Sequence, residues 1–154
     1  MGAFKDRQKR ENERHYKQWL ACGFTGEMPI DEYGWFIPVL RLHCNVENIQ
    51  IFDKNGYRAS IEYCHLPNGN WIATSDLSCP MHGFGSACSV WDKQYKTKEE
   101  AILSALDRIE KGLDEKDRKP FVLQAIQAQR NCYKQAEIEM AFEPMASFEQ
   151  VSLF

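Results

Sequence analysis

The middle of the chain limits the fold most, because two turn signals there bracket one alternating segment. Asn55-Gly56 and Pro67-Asn68-Gly69-Asn70 stand on either side of Tyr57 to Leu66. Asn-Gly tolerates positive φ at both central positions of a tight turn, and that geometry matches the twist of two antiparallel strands. Between the turns, Tyr57, Ala59, Ile61 and Tyr63 fall on one face, and Arg58, Ser60 and Glu62 on the other. Asn48 to Phe52 and Trp71 to Leu77 flank this segment as partner strands. The pattern predicts a β meander, with a loop from Ser78 to Ser86 and a last strand around Ala87 to Trp91.

Helical signals lie on both sides. Tyr16, Trp19 and Leu20 repeat at helical spacing after a polar stretch, so a helix over about 5–21 is expected to anchor by its C-terminal end alone. Gly23 and Gly26 stop it. Pro38 makes the apolar run Trp35 to Leu40 an edge strand or a packed loop. Thr97 and Glu100 form a capping-box pair ahead of a stripe made by Ala101, Ile102, Ala105, Leu106, Ile109 and Leu113. A second helix begins at Pro120, a favoured first-turn residue. It carries Phe121, Ala125, Ile126, Cys132, Tyr133, Ala136 and Met140, and Pro144 is expected to end it.

The expected fold is therefore α+β: a small antiparallel meander of about three to four strands packed by two C-terminal helices, with an N-terminal helix or arm. Its parts are a basic arm over 1–22, an α+β domain over 23–142 and a mobile tail over 143–154. A length of 154 residues suits one domain. The first 17 residues hold six basic and three acidic side chains, whereas the whole chain has a net charge of −3. A basic arm on an acidic body gives at most a weak footprint on nucleic-acid phosphate. No apolar run reaches the length of a membrane span and no signal peptide is visible, so a soluble cytoplasmic protein is expected.

Six Cys and four His raise the question of metal. Cys79-Pro80-Met81-His82 has the C-x-x-H spacing of a zinc half-site, and Cys88 follows six residues on. Cys79, His82 and Cys88 are the first ligands to test for zinc, against the alternative that scattered cysteines act as small buried hydrophobes. His43-Cys44 and Cys64-His65 are sequence neighbours, which point to opposite faces of a strand, so neither pair forms its own catalytic dyad. His82 to Ser86 lacks a Walker lysine and reads as a flexible loop, whose Met81 and Phe84 can serve as a second interaction surface. Asp53, Glu62 and Asp76 fall on or beside neighbouring strands, where carboxylates can gather for a two-metal nuclease. Glu62 shares its face with Arg58 and Ser60, which indicates a solvated surface instead. Nothing in these constellations demands an enzyme.

The C-terminal residues Gln150-Val151-Ser152-Leu153-Phe154 resemble the sliding-clamp-binding motif of bacterial replication and repair proteins, a short Q-L-[S/D]-L-F peptide. Val151 departs from the usual Leu. The resemblance implies a partner, the bacterial DNA polymerase sliding clamp, with Leu153 and Phe154 as pocket-filling anchors and Gln150 at the polar rim. It also implies a non-enzymatic accessory or inhibitor protein of DNA metabolism, of the kind phages and plasmids encode. Residues 57–113 resemble the core domain of HicB-type antitoxins through Y-R-A-S-I-E, N-G-N-W-I-A and T-K-E-E-A-I, in that order. No helix-turn-helix or ribbon-helix-helix follows, so this second resemblance speaks to fold. The other readings left open are a protein-binding inhibitor or antitoxin-like module unrelated to the clamp, and a zinc-containing nucleic-acid-binding protein.

Overall fold

The computed structural model describes residues 2–152, with side chains described over 2–136. The element order is α1 (Gly2–Ala21), a short 3-10 turn (Leu40–Leu42), β1 (Glu47–Lys54), β2 (Tyr57–His65), β3 (Trp71–Ser78), β4 (Gly83–Gly85), α2 (Lys98–Lys111), a second 3-10 turn (Glu115–Asp117) and α3 (Pro120–Ser152). The strands form one antiparallel sheet in the order β1-β2-β3-β4. This is the α+β meander expected from the turn signals. Asn55 and Gly56 both adopt positive φ, 54° and 83°, at the first hairpin.

Alternation puts opposite chemistry on the two faces. On the helix side, Ala59, Ile61, Tyr63, Ala73 and Leu77 meet Ala101, Ile102, Ala105, Leu106 and Ile109 of α2 and Val122 and Ile126 of α3. A shift in register between Gln50 and Phe52 lets the consecutive Ile51 and Phe52 both join this core. Each fully buried aliphatic side chain contributes about 1.5–3 kcal/mol, so this layer is the main source of stability. Ser75 Oγ donates to the Ala105 carbonyl at 2.7 Å, and Arg108 to the Ala73 carbonyl at 2.6 Å, fixing α2 across β3. At the start of α2 the Thr97 hydroxyl accepts from the Glu100 amide at 3.1 Å, the Thr97 arm of the expected capping box.

The second face is split along its length. At one end Cys64, Leu66 and Ile72 are covered by Trp19, Cys22, Phe36, Leu40, Cys88 and Val90, a second core. At the other end the ladder is polar: Asn48, Glu62 and Thr74 in one row, Gln50, Ser60 and Asp76 in the next.

Several expectations need correction. The last strand is Gly83–Gly85 rather than Ala87 to Trp91. The later segment makes only a bridge from Ser89 to Val39, because Val90 is drawn into the second core, outside the ladder. The glycine-rich segment read as a flexible loop is thus the edge strand itself. Helix α1 is anchored beyond its C-terminal end. Asn12 is buried, donates to the Gly34 carbonyl at 2.8 Å and accepts from the Phe36 amide at 2.9 Å. Its C-terminus is closed by the β2–β3 turn, where Asn68 Nδ2 donates to the Ala21 carbonyl at 3.0 Å. The backbone of α3 continues past Pro144 to Ser152, since an interior proline costs a helix one hydrogen bond without forbidding the turn. Cys132 of α3 is exposed instead of joining the apolar stripe.

Candidate functional site

The residues singled out from the sequence fall in four places. The C-terminal peptide lies outside the described residues at Leu153 and Phe154, and the side chains of Gln150, Val151 and Ser152 likewise. The other three places are on the body.

The polar half of the sheet forms a shallow cavity of about 370 Å³, lined by Arg41, Ser60, Glu62, Thr74, Asp76 and Ser86 among others. Glu62 and Asp76 share it. Glu62 is not simply solvated, however: its Oε2 accepts the Cys88 amide at 2.7 Å and so holds the chain after β4 against the sheet. Asp76 folds over Gly85, where any β-carbon would collide with its carboxylate. Asp53 is outside this cavity and pairs with Arg58 at 3.6 Å. The three carboxylates are therefore not gathered, and two of them serve neighbours of their own.

The cysteines divide into two neighbourhoods. Cys88 sits in the second core with Cys64, and its thiol donates to the Glu62 carbonyl at 3.3 Å. A hydrogen bond with Cys88, then burial, pushes the Cys64 thiol up; burial pushes Cys22 up to about 11. These behave as the small buried hydrophobes of the alternative reading. All six thiols are free. Cys88 therefore does not join Cys79 and His82, which corrects the expected ligand set: the two residues lie against different layers of the fold.

Cys79 and His82 instead meet Asp117. Ligand-capable atoms of the three lie within 4.8 Å of one another, the one such group of His, Cys and carboxylate residues among those described. The turn after β3 presents the first two, closed by the Cys79 amide donating to the His82 carbonyl at 2.7 Å. The 3-10 turn between α2 and α3 brings the third. Asp117 is 2% exposed, and its Oδ1 accepts from the Tyr57 hydroxyl at 3.1 Å. The His82 ring bonds the Gly112 carbonyl through Nε2 at 2.9 Å. A carbonyl can only accept, so Nε2 carries the proton. Nδ1 then faces Asp117 Oδ2 at 3.5 Å and Asp114 Oδ2 at 3.7 Å. Both His82 Nδ1 and Asp117 Oδ2 are buried without a hydrogen-bond partner.

A nucleophilic triad does not fit this geometry, because the imidazole spends Nε2 on a backbone carbonyl and cannot bridge thiol and carboxylate through two nitrogens. Burial, followed by the charges of Asp117 and Asp114, also pushes the Cys79 thiol up, away from a reactive thiolate.

Of the two residues expected as a second interaction surface, Met81 is 79% exposed at the tip of the β3–β4 turn. Phe84 is half committed: it stands on β4 opposite Leu77, and its ring lies so close to Gly112 that a β-carbon there would overlap it. Sequence reasoning missed Asp117, Asp114 and the Gly112 carbonyl. The acidic connection Asp114 to Asp117 was a usable signal, but only the packing of α2 shows that it returns to the β3–β4 turn.

Comparison with known proteins returns nothing similar: no family model, no curated protein and no solved structure matches the chain. Among the described residues no helix is long and apolar enough to cross a membrane.

Proposed function

We propose that this is a non-enzymatic accessory or inhibitor protein of bacterial DNA metabolism that binds the DNA polymerase sliding clamp through its C-terminal peptide. The observation that carries the reading is the run Gln150-Val151-Ser152-Leu153-Phe154, which combines two adjacent apolar anchors with a polar side chain at fixed spacing. Helix α3 runs to Ser152, and an extended bound peptide requires its last turn to unwind. Terminal turns open at little cost, which makes this compatible with a micromolar affinity of about −8 kcal/mol.

In this reading the body is cargo or a block. Bound at the shared groove, it either brings a second protein to the clamp or excludes polymerases from it. The test is competition by a synthetic peptide of residues 143–154 against full-length protein on a purified bacterial clamp. Displacement at micromolar peptide is expected. Binding of the intact protein that the peptide leaves untouched would place the determinant on the body.

A further inference from the structure

We propose that Cys79, His82 and Asp117 form a binding site for one zinc-class divalent cation, which staples the β3–β4 turn to the connection between α2 and α3. The argument starts from two orphaned atoms. A buried carboxylate oxygen and a buried imidazole nitrogen face each other without a hydrogen bond to anything. With Nε2–H spent on the Gly112 carbonyl, a neutral His82 turns a lone pair toward Asp117, an arrangement that repels.

One escape is an imidazolium bonded directly to the carboxylate. Charge-assisted bonds of that kind close to about 2.7–2.9 Å. The observed separation is 3.5 Å, too long for such a bond. It matches the edge of a metal tetrahedron: with zinc–nitrogen and zinc–oxygen bonds of about 2.0–2.2 Å, the two ligand atoms stand roughly 3.4 Å apart. Asp114 Oδ2, at 3.7 Å from the same nitrogen, flanks this three-residue group without belonging to it. The thiol of Cys79 adds the soft ligand that favours zinc over magnesium or calcium.

The surroundings are those of a ligand set held in place from behind. Metal-bound histidines characteristically donate their free N–H to a carbonyl or carboxylate, as His82 does to Gly112. Ligating carboxylates are themselves hydrogen-bonded, as Asp117 Oδ1 is by Tyr57. Cys79 and Tyr57 also belong to the helix-side core, so a cation here ties the connection between α2 and α3 to the sheet edge. The proposal is independent of clamp binding, because no residue of the terminal peptide takes part.

The experiment strips the full-length protein with chelator, then titrates Co²⁺ as a spectroscopic stand-in and Zn²⁺ as competitor. One equivalent of Co²⁺ is expected, with a thiolate-to-cobalt charge-transfer band that Zn²⁺ abolishes and an increase in the melting temperature on Zn²⁺ addition. Cys79→Ser should lose the band and the Zn²⁺-dependent melting shift, whereas Cys88→Ser should keep both. Asp117→Asn tests the carboxylate and should weaken Co²⁺ binding at least tenfold; should that variant fail to fold, Cys79→Ser against Cys88→Ser still decides. No stoichiometric Co²⁺ uptake by the wild-type protein, or a band that survives Cys79→Ser, overturns the site and leaves His82 and Asp117 an ion pair.

Discussion

Between Trp19 and Ile126 the chain builds two cores from many apolar side chains, and the loss of one leaves the others in place. In the proposed reading, recognition rests instead on Gln150 to Phe154, five residues adjacent in sequence. The contrast teaches how differently stability and recognition are encoded. Stability is distributed and degrades in steps, because each buried group adds its own small share. Recognition by a short peptide is concentrated in a few anchors, and removing them removes the partner. In the proposed account, the body can therefore weaken without losing its destination, and the tail can lose its destination without weakening the body.

The largest effect that bears on this contrast is expected from Ile61→Ala. Ile61 is fully buried at the centre of the helix-side core. Its truncation should cost about 2–5 kcal/mol in urea denaturation, with clamp affinity unchanged under conditions where the variant is folded. A matching loss of clamp affinity would erase the distinction between body and tail. Next in size is Leu153→Ala combined with Phe154→Ala. Clamp binding, followed by calorimetry, should fall by at least about 2 kcal/mol, and the melting temperature should not move. A drop in melting temperature would make the terminal residues part of the core.

Two smaller predictions sharpen the picture of a body stabilised in increments. Thr97→Ala removes the acceptor for the Glu100 amide and should cost about 0.5–2 kcal/mol, measurable in the same urea series. The smallest effect concerns pH. His15 accepts the Trp91 indole N–H on Nδ1 at 2.8 Å, and burial, then Arg14, holds its pKa below 6.5, with Glu11 opposing. The unfolded chain thus takes up the proton at a higher pH than the folded one. This contribution is complete above about 6.5 and falls as the pH drops from there towards the folded-state value. His15→Gln should flatten that part of the stability curve. An unchanged slope would assign it to other groups.

The strands and the first helix of the C-terminal pair were legible because their signals are local. Asn55-Gly56 needs only its own backbone freedom, and Thr97 reaches only as far as Glu100. The edge strand was not legible, since Gly83 and Gly85 have no strand propensity and are there because neighbouring chain leaves no room for β-carbons. Asn12 was not legible, because a polar residue in a polar helix gives no hint that the 34–36 backbone will bury it. The candidate site was half legible. Cys79 and His82 declare themselves by spacing, whereas Asp117 arrives through the connection between two helices and Cys88 leaves through the opposite layer. Spacing fixes which ligands are neighbours in sequence; packing fixes which third residue meets them.

The most direct measurement is a calorimetric titration of a bacterial sliding clamp with full-length protein and with a version ending at Glu149. The account predicts micromolar binding by the first, none by the second, and identical melting temperatures for the two. Equal binding by both would contradict it, and so would no binding by either.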